Sequence, residues 1–372
     1  MQILLQFLKD KSFLFALLII LLSESLLQFG CYRPFLKKSS YAQNVNHITE
    51  TAVRSLPNLS PNLLIVGTSI AYEGISVKRL NERLQGSGFV AQSIAIPGSE
   101  LITQELALRK ILSTNHNIKY IIHVNELQLP WVDRKKLIPS TLAMVSELDR
   151  ISAIKRLNED RYELEVGDYI TLVSRWVAYR NDIADFILRP DKRLKEFGKS
   201  LKSKSDSFYA YENSYPFSLS QFKFQNLEDC KVETKKGSLI PEGSDRHHLD
   251  AIYKTCFLVA DTKLTLESNE LTDLFLLRLK NFYSYVRSQN IKIINIYPPV
   301  SSYLDLEDND LRKEFWEKEF AEELNNQKFD LSRILPQEKN SDYFYDIIHL
   351  NQRGMEKFTD ELARSILSLN RQ

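Results

Sequence analysis

The fold is decided by the stretch Leu63-Leu-Ile-Val-Gly-Thr-Ser69. Its four consecutive apolar residues are too few for a helix, and they are typical of a strand buried on both faces of a parallel sheet. Gly67 permits a tight turn after this strand, and helical periodicity follows from Ile75 to Leu84. A serine therefore lies just past the carboxyl end of a core strand, where open α/β sheets bind ligands.

The alternation of strands and helices continues along the chain. It disappears in the middle and returns near the carboxyl terminus. Such a pattern predicts right-handed βαβ units in a mainly parallel sheet. We therefore expect a three-layer α/β/α sandwich, with strands at 89–96, 119–124 and 292–297, helices at 101–112, 271–289, 311–325 and 354–369, and a closing segment at 343–351.

Residues 133–267 break the alternation, and we interpret them as a large insertion after the third strand. Stretches 146–158 and 169–188 have helical patterns, and we expect the insertion to cap the carboxyl edge of the sheet without adding central strands. It carries a basic run that is typical of a solvated face, with contact to anionic glycan or lipid headgroups as the alternative: Lys192, Arg193, Lys195, Lys199, Lys202 and Lys204.

The amino terminus predicts export. Basic residues precede a long apolar run, so residues 1–36 are interpreted as a signal anchor or transmembrane segment. Polar residues 37–60 are interpreted as a linker, and residues 61–372 as the folded domain outside the cytoplasm. Two other fates stay open: cleavage of the signal after Ala42, and lipidation of Cys31.

Composition excludes several classes of function. The formal net charge is +1, and no nucleic-acid-binding signature is present. The three cysteines form no CxxC pair, and the sequence predicts neither a metal site nor an organic cofactor. Cys230 and Cys256 could form a disulfide in an oxidising compartment or remain two unrelated thiols.

Asp346 and His349 form the strongest local signal for chemistry. A carboxylate three residues before a histidine in a turn can bind one ring nitrogen and leave the other to act as a base. Ser69 would supply the nucleophile of such a system. A helix cap and a packed histidine would leave the same DxxH pattern, and a Thr/Ser helix cap would account equally for Ser69.

Together these blocks resemble the SGNH (GDSL-like) hydrolase superfamily, over residues 63–130 and 291–370. The resemblance implies an SGNH or flavodoxin-like sheet and a catalytic triad of Ser69, Asp346 and His349. It also implies an oxyanion hole formed by the Ser69 N–H, Gly98 and Asn125. Thr68 departs from the family's usual aspartate, and Val124 from the glycine that precedes the asparagine.

The residues that follow His349, together with the end of the strand at 292–297, resemble the SGNH subgroup that acts on cell-envelope glycans, which includes alginate-acetylation and teichoic-acid D-alanylation proteins. Asn351, Gly354 and Tyr297-Pro-Pro299 carry this likeness. It implies a membrane-anchored esterase or O-acyltransferase whose acceptor is an envelope polysaccharide or glycolipid. A membrane protein that donates the acyl group would be a further partner. The alternative is a non-catalytic envelope protein that keeps this fold for binding or assembly.

Overall fold

The computed structural model describes residues 10–369 except 116, 203–208, 210, 223, 237–239, 241, 243, 261–266, 305, 320 and 322–326. Its centre is one sheet whose strands are ordered β2-β1-β3-β4-β5 and pair in parallel. In this doubly wound order the strand sequence reverses between β1 and β3, which is the point at which such sheets commonly bind ligands. The strands are β1 (Leu63–Val66), β2 (Ala91–Ser93), β3 (Tyr120–Val124), β4 (Lys292–Tyr297) and β5 (Gln327–Asp330).

Helices surround this sheet. Before the third strand they are α1 (Lys11–Gln28), α2 (Tyr41–Leu59), α3 (Ser69–Gly74), α4 (Val77–Arg83) and α5 (Leu101–Leu112). The insertion contains α6 (Ile138–Val145), α7 (Arg150–Glu159), α8 (Val166–Val173), α9 (Arg175–Ala178), α10 (Arg180–Leu188), α11 (Pro190–Lys202), α12 (Leu227–Lys235) and α13 (Arg246–Ala260). The chain ends with α14 (Glu270–Ser288), α15 (Leu306–Glu319) and α16 (Gln352–Ser368).

Both faces of the sheet are covered, because successive residues of a strand point to opposite faces. Leu63 and Ile65 of β1 pack with residues of α4 and α16. Leu64 and Val66 pack on the other face with residues of α5 and α14. The predicted three-layer α/β/α sandwich with a mainly parallel sheet is confirmed.

The insertion adds only helices and irregular segments within its described residues, and it divides into two halves. The anchor-side half, residues 133–202, packs on α5 through Leu142, Leu157 and Leu172. The site-side half, residues 209–260, packs against the opposite face of the sheet. A disulfide between Cys230 and Cys256 joins α12 to α13, with their Cα atoms 6.3 Å apart. The two halves thus lie on different layers of the sandwich.

The interpretation of residues 37–60 as a polar linker is wrong, because α2 occupies most of this range. One face of α2 is buried against the domain through small and apolar side chains, including Ala42, Val45, Ile48 and Ala52. Their spacing of three and four residues is that of a single helical face. Pro57 lies only in the last turn, so it does not prevent the helix from forming.

Helix α1 is different, since Leu27 is its only buried residue. It is long and apolar enough to be a membrane anchor or a signal sequence. Its last two turns nevertheless contact the domain. The Glu24 carboxylate accepts hydrogen bonds from the backbone N–H groups of Arg175 and Trp176, at 2.8 and 3.2 Å, and thereby caps α9.

Candidate active site

Ser69 is placed by the close packing of the turn that follows β1. A Cβ atom on Gly67 would lie 2.8 Å from the Cβ of Ala71, so only glycine fits between the strand end and α3. Thr68 is the N-cap of α3, and its hydroxyl group is also hydrogen-bonded to the buried carboxylate of Glu126. These contacts hold the first residue of α3, Ser69, at the carboxyl edge of the sheet.

Three predicted side chains meet at this edge. The Oγ atom of Ser69 lies 2.8 Å from Nε2 of His349, across a separation of 280 residues. The other ring nitrogen of His349, Nδ1, lies 2.8 Å from Oδ2 of Asp346. Both distances are hydrogen-bond distances, so Ser69, His349 and Asp346 form a continuous chain with the geometry of a nucleophile, a base and an orienting acid.

Asp346 is fixed by the backbone that leads to His349. Its Oδ1 atom accepts hydrogen bonds from the N–H groups of Ile348 and His349, at 2.9 and 2.8 Å, while Oδ2 faces the imidazole. The carboxyl group is buried. The DxxH spacing therefore works because one oxygen closes the turn and the second orients the histidine ring.

The residues after His349 hold this turn against α16. Asn351 is the N-cap of α16, accepting from the Gly354 N–H at 3.0 Å, and its amide donates to the carbonyls of Asp342 and Phe217. A Cβ atom at Gly354 would lie 2.2 Å from the carbonyl oxygen of Tyr343. Asn351 thus caps the helix and Gly354 allows close packing of the turn, and both roles are structural and independent of any substrate.

Two further carboxylates lie near the triad, and neither was among the predicted site residues. Burial raises the pKa of Glu73. The nearby Asp346 carboxylate raises this pKa further, whereas the positive charge of His349 lowers it. Glu126 interacts electrostatically with His349 and is bound by the Thr68 hydroxyl. A signal for Glu73 existed in the sequence, because it follows Ser69 by four residues and so shares its helical face.

These carboxylates control the protonation of His349. Burial alone would lower the pKa of the imidazole, but the negative charges of Asp346, Glu73 and Glu126 raise it to about 10. At neutral pH His349 is therefore held as a cation in the unliganded protein. Its neutral form, which can accept the Ser69 proton, becomes more abundant as the pH rises.

Gly98 lies in the turn after β2 and has a φ of 70°, a left-handed conformation that favours glycine. The turn is attached to the strand end that carries Ser69, because Ile96 N–H and Ser99 Oγ both donate to the Gly67 carbonyl, at 3.0 and 3.3 Å. Within the described part of the chain, neither the Ser69 N–H nor the Gly98 N–H donates a hydrogen bond.

Asn125 is engaged elsewhere. Its amide donates to Oδ1 of Asn295 at 2.8 Å and, more weakly, to the His123 carbonyl at 3.5 Å. Asn295 also accepts from Tyr283, whose hydroxyl lies 2.6 Å from the buried His123 ring. The Asn125 side chain is thus part of a buried network between β3 and β4.

The site-side half of the insertion supplies aromatic residues beside the triad. Tyr211 stacks on Tyr72 of α3 with ring centroids 4.5 Å apart, and Tyr215 stacks on Tyr345 at 4.4 Å. Asn213 lies between these pairs in sequence and donates to the carbonyls of Glu73 and Leu350. Periodicity could not predict these contacts, since they come from a segment without regular structure.

A small cleft, with a cavity volume of about 20 Å³, adjoins the triad. It is lined by Ile70, which follows Ser69, by Ile348, which precedes His349, and by Glu126 from the end of β3. Pro298 and Val300, which follow β4, close its other side. The opening therefore lies along the carboxyl ends of β1, β3 and β4, the edge at which doubly wound sheets bind ligands.

Comparison with known proteins adds no relative: no family model matches the chain, and no curated protein matches its sequence.

Proposed function

We propose that this chain is a membrane-anchored serine esterase or O-acyltransferase of the SGNH type, acting on a cell-envelope glycan or a lipid-linked glycan. The observation that carries the proposal is the hydrogen-bonded chain from Ser69 through His349 to Asp346. Such a chain can activate a serine hydroxyl for attack on an acyl ester.

In the first step, neutral His349 accepts the Ser69 proton at Nε2 as Oγ attacks the acyl carbonyl carbon. Asp346 stabilises the imidazolium that forms and keeps Nδ1 protonated. The imidazolium then gives its proton to the departing alkoxide oxygen, and the ester carbon remains bonded to Ser69. Reversal of the sequence with a second acceptor, water or a sugar hydroxyl, releases the acyl group.

The oxyanion would be bound by the N–H groups of Ser69 and Gly98. Support comes from their lack of partners within the described residues and from the attachment of the Gly98 turn to Gly67. The Asn125 amide, which is already hydrogen-bonded, has no part in this proposal.

The location is proposed from two features. Helix α1 could hold the protein in a bilayer, and the Cys230–Cys256 disulfide is the kind of bond that persists in oxidising, extracytoplasmic compartments. A protein held at that surface would meet envelope polysaccharides and glycolipids, whose hydroxyl groups can accept an acyl group. A membrane protein that supplies the acyl group would complete the transferase.

A serine-reactive fluorophosphonate probe tests the proposal on the full chain in detergent. We expect labelling that is faster at pH 9 than at pH 7, because neutral His349 is then more abundant. Ser69→Ala should abolish the labelling, whereas Ser113→Ala, at an exposed helix end, should leave it unchanged. Labelling that survives Ser69→Ala, or a folded wild-type chain that never reacts, would refute the catalytic role and favour the binding-protein alternative.

A further inference from the structure

Helix α8 carries an apolar stripe on the outside of the protein. Val166, Tyr169, Ile170 and Val173 recur at intervals of three and four residues and are all exposed, Val166 to 77% and Val173 to 63%. The opposite face of α8 packs inward through Leu172. An amphipathic helix normally turns such a stripe toward the core, and an exposed apolar stripe is typical of a surface that meets another protein or a membrane.

The stripe is continuous with the end of α1. The Gln28 amide donates to the Val173 carbonyl at 2.8 Å, and Arg150 contacts both of these residues. Trp176, in the next helix, donates from its indole nitrogen to the Ser23 hydroxyl at 2.9 Å. The carboxyl end of α1 and the start of α9 are thus hydrogen-bonded to each other, and α8 lies beside them.

A basic helix lies close to the same end of α1. Arg193 of α11 donates to the Phe35 carbonyl, and the rings of Phe197 and Phe35 are 4.6 Å apart. Among the side chains that the structure describes on this helix, Lys192, Lys195 and Lys199 are exposed, as is Asp191. Exposed lysines beside the end of a spanning helix suit the anionic headgroups of a bilayer.

We propose that α8 lies in the interfacial layer of the bilayer, with its apolar stripe among the acyl chains and α11 at the headgroups. This inference rests on the proposed membrane anchoring by α1 and goes beyond it. The protein would touch the membrane at two places, through a spanning helix and through a helix lying in its surface. Trp176 suits such a position, since its ring is apolar and its N–H is polar.

The bilayer is a better occupant than another protein because of where the stripe lies. Val173, at one end of the stripe, is bound by Gln28, the last residue of α1. Trp176, three residues further on, is bound to Ser23, about 7.5 Å before that end along the helix axis at 1.5 Å per residue. If α1 spans the bilayer, lipid already surrounds this level. A protein partner would have to displace that lipid to reach α8.

The test uses the full chain with Cys31→Ser, so that an introduced cysteine is the only thiol outside the disulfide. A fluorophore sensitive to polarity is attached to Val166→Cys or Ile170→Cys, to Leu18→Cys within α1, and to Arg364→Cys on the exposed face of α16 as the control. The protein is reconstituted into phosphatidylcholine–phosphatidylglycerol vesicles at less than one chain per vesicle. Lipids with a nitroxide on the acyl chain then quench any label within the bilayer.

We expect most of the fluorescence to be quenched at positions 18, 166 and 170, and little at position 364. Quenching at 18 without quenching at 166 and 170 would overturn the inference and leave the anchor intact. Absence of quenching at all four positions would overturn the anchor as well. If the labels at 166 and 170 report an apolar environment only when each vesicle holds several chains, a second copy covers the stripe. This result too would overturn the inference.

Discussion

The two halves of the insertion differ in whether their apolar side chains are buried or exposed. In the site-side half, Ile252 and Phe222 are buried against the sheet, and a disulfide joins the two helices that pack there. In the anchor-side half, Val166 and Ile170 are exposed although their helix is just as regular. Under the two proposals, the site-side half forms a rigid wall of the active site and the anchor-side half meets lipid, so that one insertion would serve two different tasks.

The largest expected difference between the halves comes from one substitution made in each. Ile252→Asn buries an amide in the core and should lower the free energy of unfolding by about 3–5 kcal/mol. Ile170→Asn changes an exposed residue and should alter it by no more than about 0.5 kcal/mol. Urea unfolding in a non-ionic detergent measures both. Equal losses would mean that the stripe on α8 is part of the core, and the contrast would disappear.

Removal of the disulfide should have the next largest effect. Cys230 and Cys256 are separated by 26 residues, and opening a loop of that size should cost about 3.5 kcal/mol of stability. The double variant Cys230→Ser/Cys256→Ser should therefore unfold at lower urea, and reductant should shift only the wild type. Cys31→Ser is the matched control and should not change the midpoint. A double variant as stable as the wild type would show that the site-side half needs no cross-link.

The smallest effect concerns Glu73, whose backbone carbonyl is bound by Asn213 of the site-side half. Because the Glu73 carboxylate helps to raise the pKa of His349, Glu73→Gln should lower that pKa. Activity requires neutral His349, so the rising limb of the pH–rate profile should move to lower pH, by about one unit. Glu82→Gln, at an exposed position on α4, should leave the limb where it is. A shift to higher pH, or none, would contradict the electrostatic role.

Much of the sheet could be predicted, because its strands are buried on both faces and so are continuously apolar. β4 has the predicted bounds, Lys292–Tyr297, and α5 has the predicted bounds Leu101–Leu112. β5 escaped prediction because it is an edge strand of mostly exposed residues, Gln327–Asp330, whose sequence alternates too weakly to be distinguished from a loop. Helix α2 was missed because its polar face and two nearby prolines suggested a linker.

The meeting of Ser69, Asp346 and His349 followed from topology, since all parallel strands present their carboxyl ends at one edge. Their catalytic roles remain a prediction. The charges around them were harder to foresee. Glu126 directly follows Asn125, yet its carboxylate is bound by Thr68 while the Asn125 amide points into a buried network. Which of two adjacent side chains faces the site depends on strand register, and the sequence alone did not specify it.

The capping of α9 by Glu24 has a mechanical consequence. A chain tethered by a flexible linker would sample many heights above the membrane, but here a carboxylate near the end of α1 is bonded to the backbone of Arg175 and Trp176. If α1 spans the bilayer, the triad is held at a fixed distance from the membrane surface. Acceptors would then be selected by their distance from the lipid as much as by their chemistry. Glu24→Ala would remove this contact and widen the range of distances between the triad and the membrane, without changing the site.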